Sequence, residues 1–235
     1  MFTENEKSLY SRQLLLPNFG ESRQQMLKNA SVLVVGAGGL GSPSLLYLAA
    51  AGVGRLGIID ADVVELSNLQ RQLLYKHSEL GKLKAEMAVR ELAEHNPFIQ
   101  LNSYAERLTE KNADALIQQY DIIIGALDNS ATRYLIDDTC KKWGKIYVHG
   151  SISQYEGQVA VFHYQNKGTY RDLFPEPPSA DFAQPADKAV FAPLPGTIGT
   201  LMASEVIKLI TGQGEVLAGK LLLINLKTNS FITIG

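Results

Sequence analysis

Cysteine is almost absent from this chain of 235 residues: Cys140 stands alone, so no intrachain disulfide forms and no site built on paired thiolates exists. Net charge is almost absent too. Twenty-two basic residues against 24 acidic ones leave −2, which excludes a bulk positive field for nucleic acid or an anionic membrane surface. Recognition of any partner is therefore local. Apolar runs such as Ser31 to Val35 and Ile122 to Ile124 are strand-sized, far below the roughly 20 residues that span a bilayer. The opening residues, Met1-Phe2-Thr3-Glu4-Asn5-Glu6-Lys7, carry no basic stretch followed by an apolar core. No secretion signal is read there, and a cytoplasmic location is expected.

What is present suffices for one substantial core, since hydrophobic residues make up 46% of the chain and α/β domains of this length commonly stand alone. A single domain over 1–235 is expected. Ser31 to Val35, Leu56 to Asp60, Gln100 to Tyr104, Asp121 to Gly125 and Lys145 to His149 read as strands. Leu40 to Ala51, Lys82 to Glu94, Glu110 to Gln119 and Thr132 to Trp143 read as the helices between them. The alternation predicts an α/β fold, a Rossmann-like, mostly parallel sheet with helices on both faces, occupying 31–150 behind a helical arm at 1–30. Gly157 to Tyr164 alternates as an antiparallel strand does. Thr197 to Thr211 reads as a helix, and Lys220 to Leu226 with Phe231 to Ile234 as a closing hairpin, so antiparallel strands extend the sheet in the C-terminal half. Gln165 to Gly196 holds six of the nine prolines and reads as a long crossover loop.

Gly36-Ala37-Gly38-Gly39-Leu40-Gly41 lies between the first strand and its helix. There, missing side chains let backbone N–H groups approach a phosphate. Asp60, 19 residues beyond Gly41, ends the second strand, where a carboxylate accepts hydrogen bonds from ribose hydroxyls. These features serve NAD and ATP equally. The residues that follow tilt toward ATP. The polar stretch Ser67-Asn68-Leu69-Gln70-Arg71 places Asn68 and Arg71 near the carboxyl ends of the strands, where ligands of such sheets sit; Lys84 follows at the start of a helix, and Asp128-Asn129 again lie at a carboxyl edge. A triphosphate beside a second anion needs cations, and Asp128 is a fitting oxygen ligand for Mg²⁺. Each residue also has an ordinary reading: Asn68 capping a turn, Arg71 and Lys84 solvated, Asp128 capping the next helix.

Taken together, Tyr10-Ser11-Arg12-Gln13, Gly36 to Gly41, Asp60 to Gln72, Gly81 to Lys84, Leu127-Asp128-Asn129 with Arg133, Glu156-Gly157-Gln158 and Pro193-Leu194-Pro195-Gly196 resemble the ThiF/MoeB/HesA family, bacterial relatives of ubiquitin-activating enzymes. The resemblance runs from about Tyr10 to the end. It implies that Gly39 approaches the phosphates, that Asp60 meets the ribose, that Asn68, Arg71 and Lys84 meet the triphosphate, and that Asp128 holds Mg²⁺. It also implies a homodimer in which Arg12 reaches into the neighbouring subunit's site. The implied reaction is adenylation of the C-terminal Gly-Gly carboxylate of a small ubiquitin-like sulfur-carrier protein, in thiamin or molybdopterin biosynthesis, with overall resemblance tilting toward thiamin. An α-carboxylate is already anionic at pH 7, so the chemistry needs no general base.

Two departures stand out. Many relatives hold a structural zinc on two Cys-x-x-Cys pairs, the first in a Cys-Tyr-Arg-Cys string that here reads Thr169-Tyr170-Arg171-Asp172, so zinc is expected to be absent. Many also carry a cysteine in the crossover loop, where this chain reads Gln184-Pro185-Ala186-Asp187-Lys188. Cys140, in a helical stretch, is expected to be a small packing residue, and the four histidines show no metal spacing. The competing functions are a catalytically degenerate scaffold that only binds a carrier, and an NAD-dependent oxidoreductase. The latter leaves Asn68, Arg71, Lys84 and Asp128 unexplained.

Overall fold

The computed structural model describes residues 1–176 and 189–235. Its sheet is built on four short strands, β1 (Ser31–Val35), β2 (Arg55–Ile59), β3 (Gln100–Tyr104) and β4 (Ile122–Gly125), continued by β5 (Ile146–Ser153), β6 (Glu156–Phe162), β7 (Leu221–Asn225) and β8 (Ser230–Ile234). The order is β3-β2-β1-β4-β5-β6-β7-β8. Pairs from β3 to β5 are parallel, and those from β5 to β8 antiparallel. The expected α/β architecture is therefore present.

The strand order reverses between β1 and β4, which opens a crevice at their carboxyl ends. Every residue of β1 and β4 is buried, as a parallel strand covered on both faces requires. Alternate side chains divide between two cores: Val32, Val34, Ile58, Ile122 and Ile124 point to one face, Leu33, Val35, Ile123 and Tyr147 to the other.

Helices cover both faces. The N-terminal arm is α1 (Glu4–Leu9), α2 (Ser11–Leu14) and α3 (Gly20–Asn29); then come α4 (Gly41–Ala51), α5 (Lys84–His95), α6 (Ala113–Ile117), α7 (Ser130–Trp143), α8 (Tyr170–Leu173) and α9 (Pro193–Thr211). The helix α9 packs on α4, β5 and β6. No described helix is long and apolar enough to cross a membrane.

Several boundaries differ from the sequence reading. The helix expected at Lys82 starts at Lys84, because the backbone of 82–84 pairs with the 62–64 segment: Val64 N–H donates to the Lys82 carbonyl, Lys84 N–H to that of Asp62, both at 2.9 Å. The helix expected at Glu110–Gln119 shrinks to α6, since the Asn112 side chain accepts from Thr109 N–H at 2.7 Å and turns the chain first. Strand β5 runs on to Ser153, paired antiparallel with β6 throughout. The long loop of 165–196 is not wholly irregular. It contains α8, and α9 begins at Pro193, four residues before the expected Thr197, because proline suits the first turn of a helix, where no N–H is needed. The stretch Gln184 to Lys188 lies outside the described residues.

Candidate functional site

The glycine loop turns directly beneath the β4 carboxyl end. Gly36 has φ +95°, a conformation that side chains disfavour, and a Cβ there would stand 2.5 Å from the Ala126 carbonyl oxygen. A Cβ on Gly41 would overlap the Gly36 carbonyl. These two glycines are demanded by backbone crossing backbone. Gly39 faces different neighbours: its Cβ position is 3.1 Å from Pro195 Cβ and 3.7 Å from Arg71 Cδ. Gly38 is covered by the Gln72 side chain. The loop thus lies between the start of α9 and the segment carrying Asn68 and Arg71.

Asp60 stitches this crevice together. One carboxylate oxygen accepts the Ala37 N–H of the glycine loop and the other the Asp62 N–H, both at 2.8 Å. Opposite, the Tyr75 hydroxyl donates to the Ala37 carbonyl at 2.8 Å and lies 3.4 Å from that of Lys84. Burial, with Asp60 and Glu79 nearby, pushes the Tyr75 phenol well above its ordinary range, so it remains a donor. Lys84 opens α5 and is buried, with its ammonium 3.5 Å from Asp62. The ordinary reading of Lys84 as a solvated surface lysine is therefore wrong.

Asn68 does cap a turn. Its side-chain oxygen accepts the Glu65 N–H at 3.3 Å, while its amide nitrogen lies 3.4 Å from the Ser67 hydroxyl. Arg71 is half-buried and donates to the Ser67 carbonyl at 3.1 Å; its guanidinium has no other hydrogen bond or ion pair among the described residues. Leu69 is half-buried, and Gln70 is exposed. Asp128 does not cap the following helix: Asn129 does, accepting the Thr132 N–H at 2.9 Å. Asp128 itself is exposed, and its carboxylate has no hydrogen bond or ion pair among the described residues. The loop bearing it is held by Arg133, which donates to the Leu127 carbonyl at 2.7 Å and reaches the Ser151 hydroxyl at 3.3 Å. The contacts of Tyr75, the Gln72 cover and the Arg133 brace had no separate signal in the sequence, because each depends on chain segments that meet only in the fold.

Arg12 is not brought to this crevice within the chain. It is exposed on α2, and its neighbour Gln13 donates to the carbonyl of Ala51, the last residue of α4. The glycine loop adjoins the opposite end of that 11-residue helix, about 15 Å away at helical rise.

Thr169-Tyr170-Arg171-Asp172 forms a capped turn. Asp172 accepts the Thr169 N–H at 2.7 Å, and Thr169 accepts the Asp172 N–H at 3.2 Å. Among the described residues no group of three His, Cys, Asp or Glu is arranged to hold a metal. Cys140 is buried in α7, where burial raises its thiol pKa, consistent with a packing role. His149, on β5, is buried in an aromatic cluster with Tyr147, Phe162, Tyr170 and Phe174. Burial, and secondarily Arg133, lowers its pKa to about 3.

Two cations and a glycine-rich turn of backbone lie at one carboxyl edge, an arrangement whose charge and amides would suit an anion. Among the described residues no nucleophile paired with a base accompanies them. The model of the ThiF family matches residues 10–234. A protein of Thermus thermophilus called "Sulfur carrier protein adenylyltransferase" is 45% identical over 98% of this chain and 87% of its own length. A "Probable molybdopterin-synthase adenylyltransferase" of Porphyra purpurea is 44% identical over 98% of this chain, which spans 61% of that protein. Among solved structures, E. coli MccB with ATP superposes with a TM-score of 0.84 at 25% identity, over 99% of this chain and 72% of that one.

Proposed function

The chain belongs to the ThiF family, and from that premise we propose that it uses ATP to adenylate the C-terminal carboxylate of a small sulfur-carrier protein, releasing pyrophosphate. The observation that carries this reading is the continuous connection at the carboxyl edge: glycine loop to Asp60, Asp60 to Asp62, and Asp62 to the buried Lys84. Its counterpart is the name of the 45%-identical relative. In this reading the loop amides from Gly38 to Gly41 line the phosphates, those of Gly36 and Ala37 being held by the Ile59 carbonyl and Asp60, Asp60 accepts from the ribose with its remaining lone pairs, and Ser67 to Arg71, Lys84 and Asn129 complete the nucleotide site.

The carrier's carboxylate oxygen attacks the α-phosphorus. An acyl–phosphate bond forms, the bond to the bridging oxygen breaks, and its electron pair leaves with pyrophosphate. The carboxylate is ionised near pH 7 without help, so the obstacle is repulsion between it and the triphosphate. Arg71 and Lys84 offset that repulsion and hold the line of attack. Arg12 of a second copy adds a third cation, consistent with its place far from its own crevice. Asp128, exposed and without a partner among the described residues, fits Mg²⁺, which is commonly held by one or two carboxylates together with phosphate oxygens and water. When bound, the ion would neutralise phosphate charge.

A protein substrate also needs a surface. Leu223, Ile232 and Ile234 share one face of the β7–β8 edge in register and are 36%, 53% and 50% exposed. This apolar patch suits a carrier whose tail enters the crevice.

The test is ATP–pyrophosphate exchange by the purified protein with Mg²⁺ and candidate carriers from thiamin and molybdopterin routes. Exchange that depends on a carrier supports the reading, and the best carrier identifies the route. Tight ATP binding with no exchange would favour the scaffold instead.

A further inference from the structure

Lys84 is placed against ordinary preference twice over. Its ammonium is buried, although taking a charge from water costs several kcal/mol unless it is well paired. It also occupies the first position of α5, where the helix dipole is positive and repels a cation. Its ion-pair partner among the described residues is Asp62, and that pair is slack: 3.5 Å, with the Asp62 side chain 62% exposed. Asp62 is nonetheless held beside Lys84 by construction. The Val63–Leu83 bridge and the Lys84 N–H to Asp62 carbonyl bond fix the two backbones side by side, and the Asp62 N–H is tied to Asp60.

We propose that Asp62 is an exchangeable counter-ion. It neutralises Lys84 when no phosphate does, yields the ammonium to the terminal phosphates of the nucleotide, and takes it back as pyrophosphate departs. A carboxylate so close to a polyphosphate would otherwise only repel it. This role rests on the nucleotide site proposed above. It makes Asp62 a positioning residue that weakens ground-state binding and favours product release.

Calorimetric titration of ATP, pyrophosphate and AMP into wild type and Asp62→Asn tests it. Removing the competitor should tighten ATP and pyrophosphate up to about fivefold, the scale of an exposed ion pair, and leave AMP unchanged. In a Lys84→Ala background the gain should vanish, as a coupling carried by that ammonium requires. Asp62→Ser, read alongside, gives the same answer should the asparagine variant misfold. Unchanged or weaker ATP binding in both Asp62 variants overturns the proposal, as does an undiminished gain without Lys84. If wild type binds no ATP at all, the nucleotide-site reading fails and this role falls with it.

Discussion

Acid should unfold this protein through His149. The imidazole is fully buried, and its neutral form is fixed by its neighbours: Gln158 Nε2 lies 3.3 Å from Nε2 and the Tyr147 hydroxyl 3.3 Å from Nδ1. Burial, with Arg133 adding repulsion, lowers its pKa from 6.5 to about 3. In the unfolded chain the same group takes up a proton below its ordinary value. Stability from a neutral, buried histidine is therefore complete above pH 6.5 and lost progressively as pH falls toward 3. At pH 5 the loss is roughly 2 kcal/mol, from 1.36 kcal/mol for each pKa unit over about 1.5 units. The assay is urea unfolding at pH 7.5 and pH 5.0 for wild type and His149→Gln, a neutral side chain that still hydrogen-bonds. Wild type should lose about 2 kcal/mol more than the variant between the two pH values. Equal losses would refute the argument that His149 is folded neutral.

Three further outcomes follow from the same geometry. Gly41→Ala drives a methyl into the Gly36 carbonyl, so it should cost about 1–3 kcal/mol or more as overpacking does, read as a lowered urea midpoint. Arg71→Ala and Asp128→Ala should each abolish carrier-dependent pyrophosphate exchange. Both should leave stability within about 0.5 kcal/mol, since neither side chain is a core element. Cys140, buried with its thiol pKa raised, should resist thiol reagents in the native protein and react only as fast as the protein unfolds, which a labelling time course against denaturant checks.

Most of the sheet was legible because parallel strands covered on both faces demand uninterrupted apolar residues, and Ser31–Val35 and Ile122–Gly125 supply them. The full length of β5 was not, since Gly150 and Ser151 resemble a turn until β6 pairs with them. The start of α9 was hidden by two prolines that read as loop yet fit a first turn. The glycine loop and Asp60 were visible from spacing alone. The burial of Lys84 was not, because it is set by the pairing of 62–64 with 82–84. Nor was the Arg133 brace on the loop of Asp128. Asn68 shows the converse: its capping of a local turn and its proposed place at the nucleotide are compatible, because the cap orients the Ser67–Arg71 segment that lies against Gly39.

The central claim is chemical, and the most direct measurement is the intact mass of a candidate carrier after incubation with the protein, ATP and Mg²⁺. The account predicts a carrier heavier by one adenylate when its Gly-Gly tail is intact, and unchanged when the last two residues are removed. A carrier that binds the protein yet gains no mass, under conditions where ATP is also bound, would contradict adenylation and leave a binding scaffold in its place.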